Sequence, residues 1–257
     1  MKALTVKTLR ALAATVAAGL AASLGACSAT DRSAGEENIL TYLEPQFFRT
    51  LYPPAAGFYP NGGVVNQLTD RLLYQDPETL ELSPWIATDM PKVNEDATEY
   101  TFDIRTDVTY SDGSPLTAEN VVANFDLFGR GDKSRTLTSS EQIANYDRGE
   151  VVDEDTVKFY FTKPSPGFLQ ATSAYNAGLV SDSTLELDNE GFGPGNAVNV
   201  IGSGPFVVES ESIGTDLILK AREDYDWAPP AVEHQGRAQI DGIHYILAAE
   251  ESVRTGA

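Results

Sequence analysis

Catalysis needs side chains that can hold a proton, a metal or a covalent intermediate, and this sequence supplies few of them. Only two histidines occur, His234 and His244, ten residues apart and in different contexts. That is a poor supply for imidazole acid–base work or for a histidine-built metal site. There is no Gly-x-Ser-x-Gly elbow, no Walker phosphate loop and no His-Glu-x-x-His pair. Gly191-Phe192-Gly193-Pro194-Gly195-Asn196 has the outline of a dinucleotide loop, but Asn196 stands where the last glycine is required and no strand precedes it. Asp and Glu number 38, so two carboxylates at a glycosidase-like separation would carry no information. No cofactor and no metal site is implied. The single cysteine, Cys27, is the one reactive group in a distinctive setting, directly after Leu24, Gly25 and Ala26.

The elements around Cys27 explain that setting. Lys2, Lys7 and Arg10 form a basic start without an acidic residue, and an apolar run over 11–24 follows, broken only by Thr15, Gly19 and Ser23. Charge, a short apolar core and small residues are the layout of a secretory signal. The run is too short to be a comfortable membrane span. Leu24-Gly25-Ala26-Cys27 resembles a bacterial lipobox, which implies that the Cys27 thiol receives a diacylglycerol and becomes the new N-terminus. The expected division is a lipoprotein signal peptide over 1–26, a flexible small-residue tether over 27–37 and a globular body over 38–257. Removing 1–26 takes away three cations and no anion, shifting the formal net charge from −20 to −23. A body so acidic repels nucleic acid and anionic lipid head groups. With Cys27 lipidated no thiol remains, so the body uses no disulfide.

Within that body, residues 39–43 read as a first strand, and 44–59 as a loop with three prolines and the aromatics Phe47, Phe48, Tyr52, Phe58 and Tyr59. Val64, Val65, Leu68 and Leu72 give a helical stripe opening at Gly62-Gly63 and ending at Leu73-Tyr74, before a turn at 76–79. Residues 99–105 alternate, with Tyr100, Phe102 and Ile104 on one side, the pattern of a half-buried strand. A turn at Ser111-Asp112-Gly113-Ser114-Pro115 leads to Thr117, a good N-cap with Glu119 in the first turn. Val121, Val122, Phe125 and Phe128 then form a buried helical stripe. Residues 129–140 and 185–199 read as loops. Val157, Phe159 and Phe161, a glycine turn feeding residues 201–208, and the runs 217–220 and 243–247 read as further strands. The class is α/β with a mixed sheet, or α+β.

Three blocks give a sharper reading. The first is Tyr100-Thr101-Phe102-Asp103-Ile104-Arg105, continued by Tyr110-Ser111-Asp112-Gly113-Ser114-Pro115-Leu116-Thr117-Ala118-Glu119-Asn120-Val121-Val122. The second is Gly202-Ser203-Gly204-Pro205-Phe206, and the third is Arg222-Glu223-Asp224-Tyr225-Asp226-Trp227 with Ile240-Asp241-Gly242-Ile243 behind it. In order and spacing these resemble the signature of family 5 extracellular solute-binding proteins, the peptide- and nickel-binding components of ABC importers. The departures are mild: Ile104, Tyr110, Asn120 and Phe206 are conservative changes, and one additional residue precedes Trp227. Each block also has a plain structural meaning as a turn, a cap or a bend.

The resemblance implies a fold like the type 2 periplasmic binding proteins, of which this chain would supply the first lobe with its extra β-rich subdomain. The second lobe and the returning tail would be missing, so the chain alone would bind weakly or not at all, with an unpaired sheet edge at 243–247. It implies capture of a short peptide, a small solute or a nickel or metal chelate, and delivery to permease and ATPase subunits. It further implies a monomer without enzymatic activity, held on the outer face of the membrane through Cys27. By position, the loop after the first strand and the stretch Ala174-Tyr175-Asn176-Ala177 face the cleft. Glu44 then meets a ligand amine, Tyr42, Phe47 or Tyr175 covers an apolar side chain, and Asn176 lies beside them. The competing readings are a secreted hydrolase and a surface interaction lipoprotein without a small ligand.

Overall fold

A computed structural model describes residues 37–256; the leader, Cys27 and nearly all of the expected tether lie outside the described residues. Asn38–Ala257 form one compact unit. Its strands are β1 (Ile39–Glu44), β2 (Leu73–Gln75), β3 (Leu82–Pro84), β4 (Lys92–Val93), β5 (Glu99–Asp103), β6 (Tyr146–Asp153), β7 (Thr156–Phe161), β8 (Phe206–Ser212), β9 (Asp216–Ala221) and β10 (Gly242–Leu247). The helices are α1 (Tyr59–Leu68), α2 (Ala118–Arg130), α3 (Phe168–Ala171), α4 (Asp182–Leu185) and α5 (Glu251–Thr255).

Two sheets share the work. The first runs β1-β10-β9-β8, with β1 parallel to β10 and the other neighbours antiparallel. The second is the antiparallel sheet β4-β5-β7-β6, the β-rich part of the body, and β2-β3 form a separate hairpin. The mixed α/β class is as expected from the sequence.

The alternation of β5 and β7 buries one face of the second sheet. Tyr100, Phe102, Val157 and Phe159 are at most 1% exposed, and Phe159 meets Phe125 of α2 with ring centroids 4.6 Å apart. Phe168 from α3 closes the cluster, with ring centroids 4.6 Å from Phe161 and 5.0 Å from Tyr100. Edge-on and tilted aromatic pairs of this kind add to the stabilisation from burial alone. The α2 cap forms as expected: the Thr117 side chain accepts from the Asn120 amide at 3.2 Å.

Three expectations are corrected. Helix α1 starts at Tyr59, with Pro60 in its first turn, and stops at Leu68 instead of running to Leu73-Tyr74. The Leu68 carbonyl is taken by the Gly204 amide at 2.9 Å, so it is not available to the next helical turn. Beyond Thr69 the chain turns extended and Leu73 enters β2. Strand β10 is not an edge: it lies between β1 and β9, and the edges of that sheet are β1 and β8. Residues 129–140 are not wholly surface loop either, since α2 continues to Arg130 and Leu137 is buried.

Candidate ligand-binding face

The face is assembled at the end of β1. Side chains alternate along a strand, so Tyr42 and Glu44 share one side of the sheet. Parallel register sets Tyr42 opposite Tyr245 of β10. Their rings lie 5.6 Å apart at 56°. Tyr245 is buried and its hydroxyl donates to the Gly63 carbonyl of α1 at 3.4 Å, fixing the ring against the helix. From the first turn of α1, the exposed Tyr59 brings its hydroxyl to 2.6 Å from that of Tyr42.

Glu44 lies beneath these tyrosines and is only 4% exposed. Its backbone carbonyl accepts from the Ala248 amide at 2.8 Å, so the strand end is pinned. Its Oε2 is buried and has no hydrogen-bond partner. Burial holds the carboxyl above the usual carboxylate range, and contact with the Tyr59 hydroxyl offsets part of that effect. The Tyr59 hydroxyl is itself pushed up, first by its bond to Tyr42 and then by burial and the Glu44 charge. Glu44 borders a void of about 10 Å³ with Phe47, Phe48, Val64, Leu217 and Tyr245. Phe47 stacks on Phe48 with centroids 5.0 Å apart. The loop that carries both is tied to α1 by Asn61, whose Oδ1 accepts from the Arg49 amide at 2.8 Å.

Tyr175 and Asn176 are placed elsewhere, in a 3-10 turn (Tyr175–Ala177) packed against α1. The Tyr175 ring lies so close to Gly62 that a Cβ there would come within 3.0 Å of it. Asn176 uses its amide internally: Nδ2 donates to the carbonyls of Pro53 at 3.2 Å and Pro54 at 3.3 Å, and Oδ1 accepts from Gln142 at 3.4 Å. Both residues line an open pocket of about 610 Å³ walled by Pro54, Gly57, Ser139 and Glu141. The five residues named from sequence therefore fall into two groups, Tyr42, Glu44 and Phe47 together and Tyr175 with Asn176 apart. Tyr59 and Tyr245 belong to the first group and were not singled out. Tyr59 was visible as one of the loop aromatics, whereas the parallel pairing that delivers Tyr245 leaves no local signal.

The three signature blocks meet in a separate knot. Gly202 and Gly204 pass so close to the end of α1 that a Cβ on Gly202 would come within 1.8 Å of the Leu68 carbonyl oxygen. The Gly202 carbonyl accepts from the Ser111 amide of the Asp112-Gly113 turn at 3.0 Å. Arg222, 5% exposed, donates to the carbonyls of Thr109 and Tyr110, forks onto Asp224 and lies 5.1 Å over the Trp227 ring. The signature is thus framework, holding the first sheet, α1 and the turn before α2 in one arrangement.

Among the described residues, no group of three or more His, Cys, Asp or Glu side chains is placed to hold a metal ion, and no helix is long and apolar enough to cross a membrane. The description "Bacterial extracellular solute-binding proteins, family 5 Middle" matches residues 81–257, and the chain belongs to that family. It is 30% identical over 185 residues to Protein XP55 of Streptomyces lividans, covering 70% of this chain and 31% of that protein. It is 30% identical over 146 residues to the probable D,D-dipeptide-binding periplasmic protein DdpA of Escherichia coli, covering 54% of this chain and 26% of that protein. Its fold is similar to the periplasmic binding protein DppA of Helicobacter pylori, solved in complex with peptide STSA. The TM-score is 0.71 at 18% identity, over 85% of this chain and 44% of that one. The chain therefore spans under half the length of these relatives.

Proposed function

We propose that this chain is the extracytoplasmic substrate-binding component of an ABC importer, held to the membrane by a lipid on Cys27 and capturing short peptides for the permease. The observation that carries the reading is the face at the end of β1, where three tyrosines and Phe47 surround a buried carboxyl with a free oxygen. Apolar and aromatic lining with a few polar groups is the general chemistry of small-molecule recognition. Family membership and the dipeptide-binding name of a relative at 30% identity support a peptide as the solute. In this reading the face is one wall of a cleft that closes over the solute. Tyr42, Phe47 and Tyr175 supply stacking area, Glu44 supplies charge, and Asn176 fixes the turn that carries Tyr175. Capture involves no covalent step, so the solute leaves unchanged. A calorimetric titration of the full chain with a pool of di- to tetrapeptides, followed by mass spectrometry of the pool, tests it. Saturable heat with every peptide recovered intact is expected; peptide cleavage, or no heat at millimolar peptide, would overturn it.

A further inference from the structure

We propose that the groove where the ends of β3 and β5 meet the β6–β7 turn docks a basic, extended segment of a protein partner, one that carries a Lys or Arg beside an apolar side chain. The groove shares no residue with the β1 face or with the pocket at Tyr175, and it stands independently of solute capture.

The groove encloses about 470 Å³, and its floor is apolar. Trp85 and Ile104 are 6% and 2% exposed, and Pro84 and Pro230 line the groove with them. The Trp85 ring is fixed: its Nε1 donates to the Trp227 carbonyl at 3.1 Å, and the Arg71 guanidinium lies 4.5 Å over it. A floor already in place costs a partner little ordering.

The rim is charged, and its charges do not balance. Arg105 is taken up by Asp107, to whose two carboxylate oxygens its Nε and Nη2 donate at 2.8 and 2.7 Å. Asp155 pairs with no Lys, Arg or His among the described residues, and Asp153 and Glu154 before it are exposed and of the same sign. The turn is held in place: the Asp155 amide donates to Asp153 Oδ1 at 3.3 Å, and its carbonyl accepts from the Ile104 amide at 2.7 Å. A Lys or Arg entering here gains a charge-assisted contact while its stem lies along proline and indole surface. An anion meets the excess carboxylate, which rules out nucleic acid and anionic lipid as occupants. The groove is also open to solvent. A free small molecule would keep much of its surface wet there, whereas a segment carried on a protein is covered by that protein.

The test titrates the full chain with the blocked pentapeptide acetyl-Ser-Val-Arg-Val-Ser-amide and with its analogues bearing Gln or Glu at the centre, following the Trp85 indole and Tyr59 ring signals by NMR. The Arg peptide is expected to shift Trp85 with a saturating midpoint that weakens as sodium chloride is raised, while Tyr59 stays in place. The Gln peptide is expected to bind more weakly and the Glu peptide not at all. Asp155→Asn, at an exposed position, is expected to weaken the Arg peptide roughly two- to fivefold. Arg105→Gln releases Asp107 to the peptide and is expected to tighten it about twofold, a direction that a damaged fold cannot produce. Equal midpoints for the Arg and Gln peptides, no saturation at Trp85, or an unchanged midpoint in both variants would overturn the groove. A shift at Tyr59 without one at Trp85 also overturns it and leaves solute capture standing.

Discussion

Asp70 accepts from Trp227 Nε1 at 2.7 Å and from the Tyr225 hydroxyl at 3.1 Å, and is fully buried. Ser203 and Arg71 also face it. Those partners favour the charged form, yet burial outweighs them and pushes the carboxyl up to about 7. An unfolded Asp releases its proton near 3.9. Between about pH 4 and pH 7 the folded chain therefore binds the proton that the unfolded chain has lost. The stability from this group is fully present below that window and is lost as pH rises through it. Asp70→Asn removes the titration, so the wild-type advantage in melting temperature over the variant should shrink from pH 4.5 to pH 7.5. A difference that stays flat across that range contradicts the assignment. At the same scale, Gly202 has no room for a side chain: Gly202→Ala drives a methyl into the Leu68 backbone, which cannot yield as a flexible side chain would. The expected loss is ~3 kcal/mol or more, read by chemical denaturation.

Elements differ in how much of themselves they show in the sequence. β5 and β7 were readable because their burial alternates residue by residue. Helix α2 was readable from its cap and its stripe, and Thr117→Ala should cost about 1 kcal/mol, seen as a lowered denaturant midpoint at unchanged slope. Thr117→Ser should recover most of it. β6 escaped notice because most of its residues face solvent and two register shifts break its pattern. The end of α1 was misplaced because the cause is tertiary, a Leu68 carbonyl claimed by Gly204. The site divides on the same line. Tyr42, Glu44 and Phe47 are close in sequence and lie together in the fold, whereas Tyr245 reaches them only through the β1–β10 pairing. The buried state of Glu44 was equally hidden, since a charged residue beside a strand end reads as exposed until its covering tyrosines are known.

For the whole molecule, the architecture separates the framework knot from the proposed recognition face. The family signature builds the knot around Asp70, Arg222 and Trp227, and the tyrosine face at the end of β1 hangs from that knot through α1. The lipid anchor proposed at Cys27 belongs to this scale too: metabolic labelling with a fatty acid is expected to mark the protein and to fail in Cys27→Ala, and equal labelling of both would contradict it. The central claim, that the β1 face receives the solute, is tested most directly by hydrogen–deuterium exchange of the full chain with and without the peptide pool. Protection is predicted at residues 42–48 and 59–63, with the peptides unaltered. Protection confined to the pocket of about 470 Å³ beside Arg105 and Asp107, with no change at those two segments, would contradict it.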